Sequence, residues 1–256
     1  MRIAIAQVRG QMDDPPANAS KAKMLINNTD VDLLIFPEMF ATGYDKGCGR
    51  FADNMDAVFR NKVNTNVKNR KCHVLYGSPL LNDGKIYNCA VLSDGENEQM
   101  YRKIHLDAGA VFNEKDVFAS GNEPKIFNCG GLKIGAAIGN DVMFGELFRW
   151  YAANDVDIIV CISAAAEQAM RRSAKVLQAR CIENSVDIVF VNMVGPDPGH
   201  VMAGGSMYIS SEGNIIESCT DSSDVRIVKL DEERIKASKE KRAFLKEIRK
   251  DIDWSV

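Results

Sequence analysis

Three segments of this chain open on the same residue pair and run into an apolar stretch. They are Val31-Asp32-Leu33-Leu34-Ile35-Phe36, Val156-Asp157-Ile158-Ile159-Val160-Cys161 and Val186-Asp187-Ile188-Val189-Phe190-Val191. A strand with one face in water alternates apolar and polar side chains, whereas a strand covered on both faces is apolar throughout and rich in β-branched residues. The three segments are of the second kind, so they read as interior strands of sheets covered by helices. Helices are expected at Asn18 to Asn27, Phe51 to Lys71, Gly145 to Asn154 and Glu167 to Asn184. In the second of these, Phe51, Met55, Phe59, Val63 and Val67 recur every four residues and line one face for a sheet to pack on. Asn82-Asp83-Gly84 and Ser211-Glu212-Gly213 carry hairpin turn chemistry ahead of the strand patterns Ile86 to Leu92 and Asn214 to Glu217, so the sheets should be mixed.

No Pro/Gly/Ser-rich linker divides the 256 residues, so one α/β domain over 1–256 is expected, ending in a charged helical tail at about 232–256. The apolar members of that tail are Ile235, Phe244, Leu245 and Ile248; they read as the docking face of a solvated helix or as a contact with a partner subunit. A net charge of −3 with no Lys/Arg stripe offers a polyanion nothing to hold, so no nucleic acid is expected. No stretch approaches the ~18 apolar residues of a spanning helix, and the start lacks an apolar leader, which predicts a soluble, cytoplasmic protein with no membrane partner. Seven cysteines without a C-x-x-C spacing, and histidines only at 73, 105 and 200, predict neither a disulfide framework nor a metal site, and no cofactor is expected.

Three places can carry chemistry. Phe36-Pro37-Glu38 puts a carboxylate just past a buried strand, where open α/β sheets place ligands; alone, Glu38 reads equally as a capping or solvated glutamate. Lys103, in Tyr101-Arg102-Lys103-Ile104-His105-Leu106, is either snorkelling to solvent or partly buried beside an anion. The small-residue strand Lys133 to Ile138 ends at Gly139-Asn140-Asp141 ahead of a helix. Backbone N–H groups converge at such a corner and can hold an oxyanion; an ordinary tight turn is the simpler reading of Gly139.

In this order, the three places resemble the nitrilase superfamily of carbon-nitrogen hydrolases. Its pattern is a glutamate after the second strand, a lysine in Y-R-K-x-H-L and a cysteine in I-C-x-D. Tyr87-Asn88, Gln178-Ala179-Arg180-Cys181-Ile182-Glu183-Asn184 and Gly205-Ser206-Met207 extend the resemblance over roughly residues 1–232. It implies a four-layer α-β-β-α sandwich with two mixed sheets, and pairing with a second copy through helices as a homodimer or higher homo-oligomer. It also implies Glu38 as general base, Lys103 as oxyanion stabiliser and Glu114 as the second glutamate, across a short insertion between 103 and 114. Asn140, Asp141 and Met143 are the positions expected to bind substrate, a small amide or nitrile.

Two departures stand out: Gly139 occupies the nucleophile position, and Gly145 stands where the family commonly has proline. Cys161 lies inside its own strand and Cys129 precedes the corner strand, so neither is placed to substitute. Losing the nucleophile of a cooperative catalytic unit costs on the order of 10⁶ in kcat, so the chain is expected to be inactive in acyl transfer. Two explanations stay open. The first is a hydrolase whose nucleophile has been replaced; the second is a natural pseudoenzyme that binds an amide-like ligand or serves as an assembly subunit. Val142 and Met143 place no arginine after the corner to clamp a carboxylate, which points to a neutral aliphatic amide; Arg171 and Arg172 read as a solvated helix face or as groups that reach a substrate.

Overall fold

The computed structural model describes residues 1–252 apart from 110, 198 and 250. The first half of the chain forms β1 (Arg2–Gln7), α1 (Pro15–Asn28), β2 (Leu33–Ile35), α2 (Asn61–Arg70), β3 (His73–Asn82), β4 (Lys85–Ser93) and β5 (Glu98–Arg102). The second half forms β6 (Ile126–Cys129), β7 (Leu132–Ile138), α3 (Gly145–Ala153), β8 (Ile158–Ser163), α4 (Glu167–Asn184) and β9 (Asp187–Asn192). A small hairpin of β10 (Val194–Asp197) and β11 (His200–Ala203) follows, then β12 (Met207–Ile209), β13 (Ile215–Ser218), β14 (Asp224–Lys229) and α5 (Glu232–Lys241).

Two six-stranded sheets result, ordered β14-β1-β2-β3-β4-β5 and β13-β12-β9-β8-β7-β6. Each is mixed: β1, β2 and β3 run parallel, as do β7, β8 and β9, while the outer pairings are antiparallel. The three apolar segments of the sequence lie in β2, β8 and β9, which are interior strands. The hairpin at Asn82 closes on Asp83 and Gly84, both with positive φ (50° and 72°), as a two-residue turn between twisted strands requires.

Side-chain alternation along β1 shows how the layers stack. Ile3 and Ile5 belong to a core shared with Ile134, Val160 and Phe190 of the other sheet, so the two sheets face each other. Ala4 and Ala6 point the opposite way, into a cluster with Ala19, Ala22 and Ile26 of α1 and Val63 and Val67 of α2. Beyond the second sheet, α3 and α4 contribute Leu147, Phe148, Tyr151, Leu177 and Cys181. The order is helices, sheet, sheet, helices, the four-layer sandwich expected. No helix among the described residues is long and apolar enough to cross a membrane.

Two expectations need correction. The stretch from Phe51 to Lys71 is not one helix: a 3₁₀ turn at Cys48–Phe51 and a π turn at Asp56–Arg60 precede α2. A strict four-residue spacing drifts about 40° per step around a regular 3.6-residue helix. The wider π turn absorbs part of that drift, and Met55, Phe59, Val63 and Val67 all end up buried. Of the two readings of the C-terminal segment, the single docking face is the one that needs correction. Ile235 is buried and Leu245 half-buried, but Phe244 and Ile248 are exposed. Residues 250 and 253–256 of the expected tail lie outside the described residues.

Polar contacts join buried Ile235 in holding α5. Asp231 caps it by accepting from the Arg234 N–H at 3.0 Å. The Arg234 guanidinium donates to Asp187 Oδ1 at 2.9 Å and to the Tyr208 hydroxyl at 2.8 Å, and that hydroxyl donates to Asp187 in turn. Lys239 reaches Asp157 at 2.8 Å. Asp187 is 1% exposed, so its charge depends on these donors. Arg234→Ala should therefore lower stability by about 2–4 kcal/mol in urea titration, because it strands a buried carboxylate. Arg234→Lys should lose less, and a loss below about 0.5 kcal/mol for the alanine variant would contradict this account of the docking.

Candidate active site

Four backbone features bring the candidate residues together between the carboxyl ends of the parallel strands. Glu38 follows β2 on a sharp turn in which Met39, fully buried, adopts φ +51°, a conformation L-residues rarely take. The turn lies directly on β3 at Gly77, where a Cβ would meet Met39 N at 2.2 Å and Glu38 Cα at 2.6 Å. Only glycine permits that approach. Lys103 leaves β5 with its N–H bound to Asn88 O at 2.8 Å and its carbonyl accepting from Gly121 N–H at 2.7 Å. Glu114 starts a short 3₁₀ turn, and the loop from 107 to 114 closes through Glu114 N–H to Asp107 O at 3.0 Å. Gly139 ends β7 at φ +48° and leads through a 3₁₀ turn over Gly139–Met143 into α3.

The result is a buried cluster of charge. Lys103 Nζ, 1% exposed, donates to Glu38 Oε1 at 2.8 Å and to Glu114 at 2.9 Å (Oε1) and 2.8 Å (Oε2). Asn88 Nδ2 donates to both carboxylates, at 2.8 Å to Glu38 and 3.0 Å to Glu114. Glu38 Oε2 accepts from Ala164 N–H at 2.9 Å; Glu114 also accepts from the Tyr44 hydroxyl at 3.0 Å and from Asp107 N–H at 2.6 Å. Burial pushes the Glu38 carboxyl up, with Glu114 adding to the effect against the downward pull of Lys103. Burial pulls Lys103 down, but the two carboxylates together outweigh it and hold the ammonium above the ordinary lysine range. Burial, then Glu38 and Glu114, raise Tyr44, so its hydroxyl keeps the proton it donates.

Gly139 borders this cluster. A Cβ at that position would lie 2.8 Å from Glu38 Oε2 and 2.8 Å from Lys103 Nζ. Glu38, Lys103, Glu114 and position 139 therefore converge, despite the insertion before Glu114. Asp141 does something else. It is fully buried behind the corner, accepting from Tyr101 OH (2.8 Å), Ile138 N–H (3.0 Å) and His105 N–H (2.9 Å), and it contacts His105 Nδ1 at 2.9 Å. It pins the corner to the strand that carries Lys103 and is a positioning residue rather than a cleft wall.

A cleft of about 370 Å³ opens in front of the cluster, bounded by Glu38, Lys103, Gly139, Asn140 and Met143. Sequence reasoning did not single out Tyr44, Asp107, Val111, Ser163 or Ser173, which line it too, nor decide for Arg172, which also does. Arg171 instead pairs with Glu167 at 2.7 Å on the surface. Asn88 belongs to the Tyr87-Asn88 motif and is fully buried; an asparagine inside the otherwise largely apolar run from Ile86 to Leu92 is the signal in the sequence that marks it.

No cysteine is among the residues that line the cleft. All seven are buried. Cys161 sits in mid-sheet opposite Ala137 and Phe190, and burial drives its thiol well above the ordinary range. Burial pushes Cys129 up to about 12. Among the described residues, no group of three or more His, Cys, Asp or Glu side chains is arranged to hold a metal ion.

Comparison with known proteins agrees with the fold. The model of the family "Carbon-nitrogen hydrolase" matches residues 2–240. An (R)-stereoselective amidase from Pseudomonas sp. is 27% identical over 255 residues, covering 97% of this chain and 92% of the relative. A cysteine-to-alanine mutant of an amidase of the nitrilase superfamily, from Nesterenkonia AN1, superposes with a TM-score of 0.82 at 25% identity over 93% of each chain. A double mutant of that amidase in complex with acrylamide gives a TM-score of 0.84 at 24% identity, covering 97% of this chain and 94% of its own.

The charge cluster makes a pH-dependent prediction. Lys103→Met leaves Glu38 beside Glu114 with no cation between them, which raises the Glu38 carboxyl further. A carboxyl whose folded value lies above its unfolded one destabilises the fold once pH forces it to ionise. The variant should lose about 3–5 kcal/mol at pH 8 and distinctly less at pH 5, measured by urea unfolding at both. An equal loss at both values would mean that Lys103 is not compensating these carboxylates.

Proposed function

Because the chain belongs to the carbon-nitrogen hydrolase family, we propose that its cleft binds a small amide in position for hydrolysis and, with Gly139 at the nucleophile's place, holds it uncleaved. One observation carries this reading: the ends of two buried, oppositely charged side chains, Glu38 and Lys103, each stand 2.8 Å from where a side chain at 139 would begin, so both must draw back slightly to admit one. A thiol there would have a base and an oxyanion partner within reach.

With a cysteine at 139, the chemistry balances as follows. Glu38 takes the thiol proton as sulfur bonds to the amide carbon, and the Lys103 ammonium faces the negative charge gathering on the carbonyl oxygen. As the C–N bond breaks, Glu38 returns the proton to the departing ammonia. Water then attacks the thioester, giving its proton to Glu38, and the carboxylic acid leaves as the thiol reforms. A carboxyl raised by burial suits this shuttle, since its proton affinity lies nearer neutrality than that of a solvated glutamate. Without sulfur, the same groups can bind and polarise the amide but form no acyl-enzyme. Glycine also relaxes the corner, because φ +48° is strained for any side chain with a Cβ.

The test is Gly139→Cys with butyramide as substrate. The unmodified chain should release no ammonia above background. The variant should release ammonia and show an acyl adduct by intact mass, while losing about 1–2 kcal/mol of stability to the left-handed backbone. A folded variant with neither ammonia nor adduct would remove the reading.

A further inference from the structure

Amide hydrolysis through a thiol at 139 has two halves, and the missing sulfur affects them differently. In the first half sulfur attacks the amide, and with Gly139 nothing is there to attack. In the second half water attacks a thioester, which takes only a base, an oxyanion partner and the thioester itself. The base and the oxyanion partner are present: Glu38 and Lys103 line the cleft beside Gly139. Ser163 adds a third group. β7 and β8 run parallel with Ile138 opposite Ile162, so Gly139 and Ser163 follow at the same level on neighbouring strands. Ser163 is 3% exposed and lines the cleft, yet its hydroxyl has no hydrogen-bond partner among the described residues. The next residue, Ala164, holds Glu38 Oε2 through its N–H at 2.9 Å. An unpaired hydroxyl and a carboxylate oxygen thus share one wall, and together they can hold an attacking water.

We propose, resting on the reading of the cleft as an amide site, that the chain hydrolyses small thioesters: a ligand that brings its own sulfur stands in for the acyl-cysteine that residue 139 cannot form. Water held by Glu38 and Ser163 bonds through its oxygen to the carbonyl carbon and gives a proton to Glu38. The carbonyl electron pair moves onto the oxygen that faces the Lys103 ammonium. When that pair returns, the C–S bond breaks with its electrons on sulfur, and Glu38 passes the proton to the departing thiolate. A carboxylic acid and a thiol leave, and Glu38 is again a carboxylate. An amide in the same place stays intact, because direct attack by water must expel nitrogen, a far poorer leaving group than a thiolate, with no acyl-enzyme to divide the step. The inactivity expected from Gly139 therefore applies to amides and not to thioesters. Glycine is itself part of the site: a Cβ at 139 would stand 2.8 Å from both Glu38 Oε2 and Lys103 Nζ and crowd the place that the ligand's sulfur takes.

Methanethiol release from S-methyl thiobutyrate by the unmodified chain tests this. Release should exceed that in buffer, saturate with substrate and be inhibited competitively by butyramide. Glu38→Gln should lower the rate at least about 100-fold. Gly139→Ala, checked for folding by circular dichroism, should lower it at least about ten-fold by crowding the sulfur. Should that variant not fold, competition by butyramide still locates the activity in the cleft. Ser163→Ala should lower kcat about ten-fold and leave KM nearly unchanged, as loss of a water-positioning hydrogen bond does. Hydrolysis no faster than in buffer while butyramide binds in calorimetric titration, or a rate unaffected by any one of the three substitutions in folded protein, would overturn the thioesterase and leave the amide site standing. Neither thioester hydrolysis nor butyramide binding would overturn both.

Discussion

A lysine ammonium held between two carboxylates, out of contact with water, is the interaction around which the rest of the molecule is arranged. Burying three charges costs several kcal/mol each unless geometry and hydrogen bonds repay it. Here the repayment is spread across the fold: Asn88 from β4, Tyr44 from the long loop after β2, and the N–H groups of Ala164 and Asp107 all donate to the carboxylates. Glu38 and Lys103 come from one sheet, Ala164 and Gly139 from the other. The cluster is therefore complete only when the two sheets are stacked, so the packing of the sandwich and the electrostatics of the cleft are one problem.

Around this cluster, backbone positions that favour no side chain do the fine placement. Gly77 lets the Glu38 turn rest on β3, and Met39 accepts a left-handed conformation so that Glu38 can point inward. Asp141 ties the β7 corner to Tyr101 and His105, which flank Lys103, and His105 is stacked 3.6 Å from Phe144 on the same turn. The corner is thus held from behind by a buried carboxylate whether or not a side chain is present at 139. That is why a glycine there leaves the surrounding groups in a chemically sensible arrangement instead of a collapsed one.

Much of this was legible in the chain. The apolar runs at 31–36, 156–161 and 186–191 identified interior strands because burial on both faces suppresses alternation. Glu38, Lys103 and Glu114 were recognisable through a resemblance in motif order. Other features were not, for physical reasons. The break of the 51–71 helix depends on how a four-residue spacing meets a sheet, and the polar docking of α5 depends on Asp187, which reads as an ordinary strand residue until its burial is known. The resemblance puts Asp141 among the substrate-binding positions, whereas its side chain is fully buried behind the corner and does not line the cleft. Arg172 was undecidable, since a helix start carries no mark of whether it faces solvent or a cavity.

The central claim is that the cleft retains everything needed to seat an amide except the atom that would bond to it. A crystal structure of the unmodified chain soaked with butyramide tests this most directly. The account predicts an intact amide lying between Gly139, Glu38 and Lys103, with its carbonyl oxygen within hydrogen-bonding reach of the Lys103 ammonium. An empty cleft at saturating amide, or the cleaved acid in its place, would contradict it.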